Sequence, residues 1–441
     1  MKILWATPWN VDSAIARVSA TVVRCLKQLG AEVSVVRTED LTRVHSKPLT
    51  EPFLARLPFQ LRAPGDFDAT VVHFGDHWPF HAKALAFLQA NPCIAVLHDA
   101  TMLNYFLGKA HLTGGRSAVQ KLCDEAIRMY GPDPSATSAP SLDHFDWVTS
   151  AAEHWPFMHE IASKASAVVV HSDHCVEALP ESCRSKCRVL MLPAFATPQQ
   201  KLPRERLEGS QVVLCTIGHM NENKRAASVM RAIAALPKLM DRATYTLAGP
   251  ITDDQRVALE ALATELGFRG LRILGRVTDA EMNACLNASD VICCLRYPTL
   301  EGGSGSVLEG LQYGRPMLVT NAGFYRQLPD DMVWKVDPAN EVADIVSHLE
   351  GICGDYPKAL EKSRLGPGWV RAHCSAERYA EQIMDLCRGL LHLKAVALSR
   401  GQLKAKVAAL GGREGHAPLN ERIEVVCESL FGIKPKIHVE H

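Results

Sequence analysis

Short β-branched apolar runs, each followed by a segment of helical period, recur along most of this 441-residue chain. The first pair sets the pattern. Ile3–Thr7 has strand length, and Ile15, Val18, Val22, Leu26 and Leu29 then recur at three- and four-residue steps until Gly30. Such alternation commits a chain to parallel sheets covered on both faces, because neighbouring parallel strands need a crossover and the helix supplies it. One set of runs comprises Ile3–Thr7, Glu32–Arg37, Ala69–His73, Cys93–Leu97, Ala167–Val170 and Arg188–Leu192. A second comprises Gln211–Ile217, Ala243–Leu247, Leu271–Leu274, Val291–Leu295, Met317–Thr320 and Val333–Val336.

Between the sets, residues 194–209 are rich in Pro, Gln, Lys and Arg and lack apolar period. They read as a linker between two Rossmann-like, doubly wound α/β domains, 1–193 and 210–374. An amphipathic helix over 375–397 is expected to cross back to the first domain, and 398–441 reads as a helical tail. Residues 100–164 form a long insertion without clear strands, the usual form of a lid, a binding loop or surface elaboration.

Charge and composition remove several function classes. Lys plus Arg and Asp plus Glu each total 48, so no basic excess exists to hold nucleic acid. No apolar run reaches the roughly 20 residues of a membrane span. The N-terminus turns polar at Asn10 and Asp12, which argues against a signal peptide. The 14 cysteines are scattered without zinc-ribbon spacing, the pattern of free thiols in a reducing cytoplasm.

In open parallel sheets ligands bind at the carboxyl ends of the strands. Two segments meet that rule. The first runs from Arg296 through Glu301-Gly302-Gly303-Ser304-Gly305-Ser306-Val307 to Glu309, after a strand and into a helix. Its glycines let backbone amides approach an anion, and its two acids can face one ligand; the plainer alternative is a structural turn. The second is Ile217-Gly218-His219-Met220-Asn221-Glu222-Asn223-Lys224-Arg225. There Lys224 and Arg225 could neutralise a diphosphate, or form a solvated basic pair.

Glu301-x7-Glu309, the Lys224 loop and the Gly314-Arg315-Pro316 ending resemble the donor half of retaining glycosyltransferases of family four, which have the GT-B fold. The resemblance covers roughly 1–395 and is strongest over 211–325. It implies two Rossmann-like domains facing each other across a cleft, with a nucleotide-sugar held mainly by the second. Lys224 would bind phosphate, Glu309 the ribose hydroxyls, and Glu301 would face the donor sugar. The backbone of Gly303, Ser304, Gly305, Ser306 and Val307 would touch sugar and phosphates, and Val277 the base. His98, in Val96-Leu97-His98-Asp99, is similar to the family's histidine that reaches the donor sugar, whereas His73 and His171 read as structural. Glu301, Lys224 and His98 are thus the expected catalytic residues.

Two departures stand out. His219 occupies a position where members often carry arginine, leaving Arg225 or a protonated His219 for the second phosphate contact. Asn10-Val11-Asp12-Ser13-Ala14-Ile15 replaces a common Gly-Gly pair, with Ser13 and Ala14 small enough for close approach. Ser13, Asp76 and Asp99 are candidates for the acceptor. Asp66-x-Asp68 has the form of a metal-binding pair but precedes its strand, on the wrong sheet edge, so no metal and no cofactor are expected.

The reaction implied is transfer of a sugar from a nucleoside diphosphate to a hydroxyl of a saccharide or lipid-linked saccharide, with retention, in glycan or glycolipid biosynthesis. A nucleotide-sugar epimerase and a non-catalytic sugar-nucleotide-binding subunit are the rival readings. A nicotinamide dehydrogenase is weaker, since neither first βα turn carries Gly-x-Gly-x-x-Gly. Residues 41–64 interleave Arg43, Lys47, Arg56 and Arg62 with Phe53 and Phe59, a candidate for peripheral contact with the inner face of a cytoplasmic membrane; their prolines favour a plain surface loop.

Overall fold

The computed structural model describes residues 1–51, 55–56, 67–89, 92–133, 142, 147–194 and 210–409, the side chains of 55–56 and 393–409 excepted. The linker beyond residue 194, the tail beyond 409, Asp66 and most of 52–64 lie outside the described residues.

The first half contains β1 (Lys2–Thr7), α1 (Ala14–Gln28), β2 (Glu32–Arg37), β3 (Ala55–Arg56), β4 (Ala69–Phe74) and β5 (Cys93–Leu97). There follow α2 (Leu103–Tyr130), α3 (Val148–Ala151), β6 (Ala167–Val170) and β7 (Cys187–Val189). These strands form one sheet in the order β3-β2-β1-β4-β5-β6-β7, and every pair in it is parallel.

The second half contains β8 (Val212–Ile217), α4 (Ala226–Ala234), β9 (Ala243–Ala248), α5 (Asp253–Glu265), β10 (Leu271–Gly275), α6 (Asp279–Ala288) and β11 (Val291–Cys294). It continues with α7 (Gly305–Leu311), β12 (Met317–Thr320), β13 (Trp334–Val336), α8 (Glu341–Gly354) and α9 (Ala376–Ala409). Its six strands run β10-β9-β8-β11-β12-β13, again all parallel. In both sheets the order reverses beside the first strand, between β1 and β4 and between β8 and β11. Those switch points open crevices at the carboxyl edges.

Strands β4, β5 and β6 are buried along their whole length, which accounts for their unbroken apolar sequence. Helix α1 starts at Ser13, whose hydroxyl accepts the Ala16 amide at 3.2 Å. It buries Val18, Val22, Val23 and Leu26 and packs against α9, whose Tyr379, Ala380, Ile383 and Met384 join the same core.

The insertion holds more structure than its sequence advertises. Helix α2 spans Leu103–Tyr130 with a break at Gly115, where φ is 62°. Gly114, Gly115 and the polar residues before them interrupt the apolar period, yet Leu103, Tyr105, Phe106, Val119 and Cys123 are all buried in the core of β4, β5 and β6. Strand β7 ends earlier than the run suggested, at Val189. Asp68 accepts the Lys2 amide at 2.7 Å at the amino end of the sheet, a structural role. The thirteen described cysteines are free. No helix among the described residues is long and apolar enough to cross a membrane.

The two halves meet through main chain. Asp99 and Glu301 form an antiparallel bridge, in which Ala100 N donates to Leu300 O at 2.7 Å and Gly302 N to His98 O at 2.9 Å. Two exposed ion pairs of opposite sense also cross, Arg276–Asp12 at 2.9 Å and Arg17–Asp279 at 3.5 Å. A methyl group on Gly302 would lie 2.8 Å from Cys175 Sγ and 2.9 Å from His98 O. Gly302→Ala is therefore expected to cost about 1–3 kcal/mol by overpacking. The urea midpoint checks this, and an unchanged midpoint would mean that the bridge tolerates separation.

Candidate active site

At the carboxyl end of β8 the chain turns at Gly218, whose φ of 93° suits glycine. A Cβ there would sit 2.9 Å from Ser306 Oγ and 3.2 Å from Lys224 Nζ, so the absent side chain makes room for the lysine. Lys224 is buried, and its ammonium donates to Ile217 O at 2.7 Å and Ser306 Oγ at 3.3 Å. No carboxylate lies within 4.0 Å of it among the described residues. Burial, reinforced by the nearby Arg296 charge, brings its pKa down to about 8.

Of the two substitutes expected for the second phosphate contact, Arg225 is engaged elsewhere. Arg225 caps α4 in left-handed conformation and turns its guanidinium to Glu341, with Nε and Nη2 each 2.8 Å from the carboxylate. Ser228 donates to the same acid, so Arg225 is committed to packing α4 against α8. His219 is exposed, and partial desolvation with the charges of Arg296, Lys224 and Arg276 lowers its pKa, which disfavours a protonated ring. A second cation near Lys224 is Arg296, which sequence reasoning passed over. Its Nε donates to Glu301 Oε1 at 2.9 Å and its Nη1 to Asn221 Oδ1 at 3.1 Å. The available signal was its place at the carboxyl end of β11, at the head of the glycine-rich segment.

Glu301 Oε1 also accepts from the Tyr325 hydroxyl at 2.5 Å, while Oε2 has no partner among the described residues. Glu301, Arg296, Asn221 and the stretch Gly303–Ser306 line a cavity of about 530 Å³. Ser304 caps α7 by accepting the Val307 amide, and Val307 itself is buried. Glu309 lies outside that cavity, toward the Arg17–Asp279 crossing. Burial raises its pKa, partly offset by Arg17. Val277 follows Arg276 and precedes Thr278, which caps α6.

The first half supplies the opposite wall. Asp99, Asn104 and Thr149 line the same cavity, the last two from the insertion. Asp99 Oδ2 accepts the Asp76 amide at 2.7 Å, and burial lifts the carboxyl to about 7. Asp76 is a brace, with its oxygens taken by the Tyr105 amide at 2.9 Å and Asn104 Nδ2 at 3.0 Å. Ser13 is likewise occupied as the cap of α1.

His98 does not reach into the cleft. It is 7% exposed, and both ring nitrogens are used: Nε2 lies 2.9 Å from His73 Nδ1, and Nδ1 lies 3.0 Å from His171 Nε2. His171 Nδ1 must donate to Leu190 O at 2.9 Å, which fixes the tautomers along the row when all three rings are neutral. Burial keeps them neutral, with His171 lowered to about 4. The contribution of His98 is its carbonyl, which holds Gly302.

Among the described residues one grouping could hold a metal ion, Glu125, His159 and Glu160. It already receives Lys164 at 2.8 Å and the Tyr130 hydroxyl at 3.1 Å, and none of it lines the cavity.

The neutral row dictates an acid response. His171 protonates near pH 6.5 when unfolded but only near 4 when folded, so its contribution is lost as pH falls through that window. His171→Phe should cost about 1–3 kcal/mol at pH 7.5 through the unpaired neighbours it leaves. That penalty should shrink toward pH 5, where the native chain meets the protonation cost and the variant does not. Urea titrations at both pH values check this; a constant difference would exclude the neutral chain.

Residues 199–363 match the family model of glycosyl transferases group 1. No curated protein matches the chain. Among solved structures it is similar to HepE of Anabaena in complex with UDP and glucose, at 14% identity and a TM-score of 0.55, covering 88% of this chain and 100% of that one. Sucrose-phosphate synthase of Thermosynechococcus elongatus aligns at 13% identity and a TM-score of 0.59, covering 88% and 99%. WaaG, a glycosyltransferase involved in lipopolysaccharide biosynthesis, aligns at 13% and 0.55, covering 87% and 99%. With two parallel-sheet halves meeting at a cleft, the chain has the GT-B fold, and its second half carries a domain that matches the glycosyl transferases group 1 model.

Proposed function

We propose that the protein transfers a sugar from a nucleoside diphosphate to a hydroxyl acceptor with retention of anomeric configuration, its donor phosphates held by Lys224 and Arg296. One observation carries this reading: the buried Lys224 ammonium touches only neutral oxygens, beside a second cation, at the edge of a cavity. A desolvated charge without a counter-ion is costly, and a diphosphate supplies the missing negative charge.

Departure of the diphosphate leaves a cationic sugar and loads charge onto the leaving oxygen. Lys224 and Arg296 stabilise that charge in place, without reorganisation. Glu301, fixed through Oε1, offers Oε2 to the donor sugar, Glu309 binds the ribose and Val277 borders the base. The acceptor oxygen attacks the anomeric carbon from the face that the phosphate leaves, and its proton passes to the departing phosphate oxygen. Ala100–Leu300 and Gly302–His98 contacts hold the two walls together and limit the entry of water, which would otherwise hydrolyse the donor.

HepE's solved complexes hold UDP, glucose or UDP-glucose, which supports testing uridine donors first. Lys224→Ala should reduce turnover by about 10²–10³-fold, with the melting temperature kept because no ion pair is broken. Unchanged transfer would remove the lysine from the mechanism. Since Lys224 titrates near 8 without ligand, affinity for a nucleoside diphosphate should weaken as pH rises above 8. Calorimetry at pH 7 and pH 9.5 checks this, and equal affinities would contradict it. Without acceptor, donor recovered as its epimer would favour an epimerase.

A further inference from the structure

The wall of the cavity opposite the donor loop has a definite chemistry. The acids that line the cavity as a whole are Asp99 from the first half and Glu222 and Glu301 from the second, and its one cation among the described residues, Arg296, is already on Glu301. The remaining polar groups on the first-half side are the Asn104 amide and the Thr149 hydroxyl, both exposed to the cavity. Asp99 is rigidly presented. Its Oδ2 is fixed by the Asp76 amide, Asp76 is fixed by Tyr105 and Asn104, and Oδ1 has no partner among the described residues. The Asp99–Glu301 bridge sets this carboxyl beside the one expected to face the donor sugar.

A bound diphosphate would draw on Lys224 and Arg296, and the acceptor would then meet only carboxylates, amides and hydroxyls. Such a wall gives hydrogen bonds to sugar hydroxyls and repels an anion. We propose that the acceptor is an uncharged saccharide seated through Asp99, Asn104 and Thr149, and that this wall rejects acceptors bearing a phosphate or carboxylate near the attacked hydroxyl. The inference rests on the glycosyl-transfer reading above.

The test uses the full-length protein at pH 8 with whichever of UDP-, GDP-, ADP- and TDP-glucose it hydrolyses. Acceptors are methyl glycosides of glucose, galactose, mannose and N-acetylglucosamine, each set against the matching uronide or 6-phosphate. Neutral members should exceed their anionic counterparts in kcat/KM by about tenfold or more, the scale of like-charge exclusion. Asp99→Asn should raise the acceptor KM by about tenfold and narrow that preference. Glu222→Gln, at an exposed position, should also narrow it, which covers the case in which the Asp99 variant does not fold. Equal or better use of anionic acceptors would overturn the proposal. So would an unchanged acceptor KM in folded Asp99→Asn, or donor hydrolysis without transfer to any neutral glycoside. Failure to turn over any nucleotide-sugar would instead overturn the transfer reading itself.

Discussion

Two peptide hydrogen bonds, Ala100 N to Leu300 O and Gly302 N to His98 O, decide where the chemistry sits. They join the loop after β5 to the loop after β11, each at the carboxyl edge of its sheet. One acid from each half, Asp99 and Glu301, therefore lies at the junction. Each carboxylate has one oxygen braced from its own half and one without a partner among the described residues. Surface ion pairs across the cleft, such as Arg276–Asp12, add little by comparison because solvent screens them.

The histidine row extends this logic inward. His73, His98 and His171 stand on adjacent strands β4, β5 and β6, and their rings are linked in series down to the Leu190 carbonyl. Because the row is buried and neutral, it fixes the strand ends from which the His98 carbonyl reaches Gly302. A chain of neutral donors and acceptors does this without the desolvation cost of buried charge.

Much of this was legible in the sequence. Period alone separated strands from helices and gave two parallel sheets, because period reflects burial directly. Lys224 and Glu301 stood out as candidates because each follows a strand's carboxyl end and matches the family's pattern, and the fold sets both beside one cavity. What escaped depended on tertiary partners. Arg225 looks as cationic as Arg296, and only the distant Glu341 decides which of them is spent on packing. His98 looks available until His73 and His171 close on its ring. Helix α2 was hidden because two glycines interrupt its apolar stripe, and the contribution of Asn104 was hidden with it.

A structure of the protein with a bound nucleoside diphosphate would test the central claim most directly. A terminal phosphate oxygen is expected within hydrogen-bond distance of Lys224 Nζ, with Arg296 as the second cation and Glu309 at the ribose. A nucleotide seated elsewhere, with Lys224 still turned only to Ile217 O and Ser306, would contradict it.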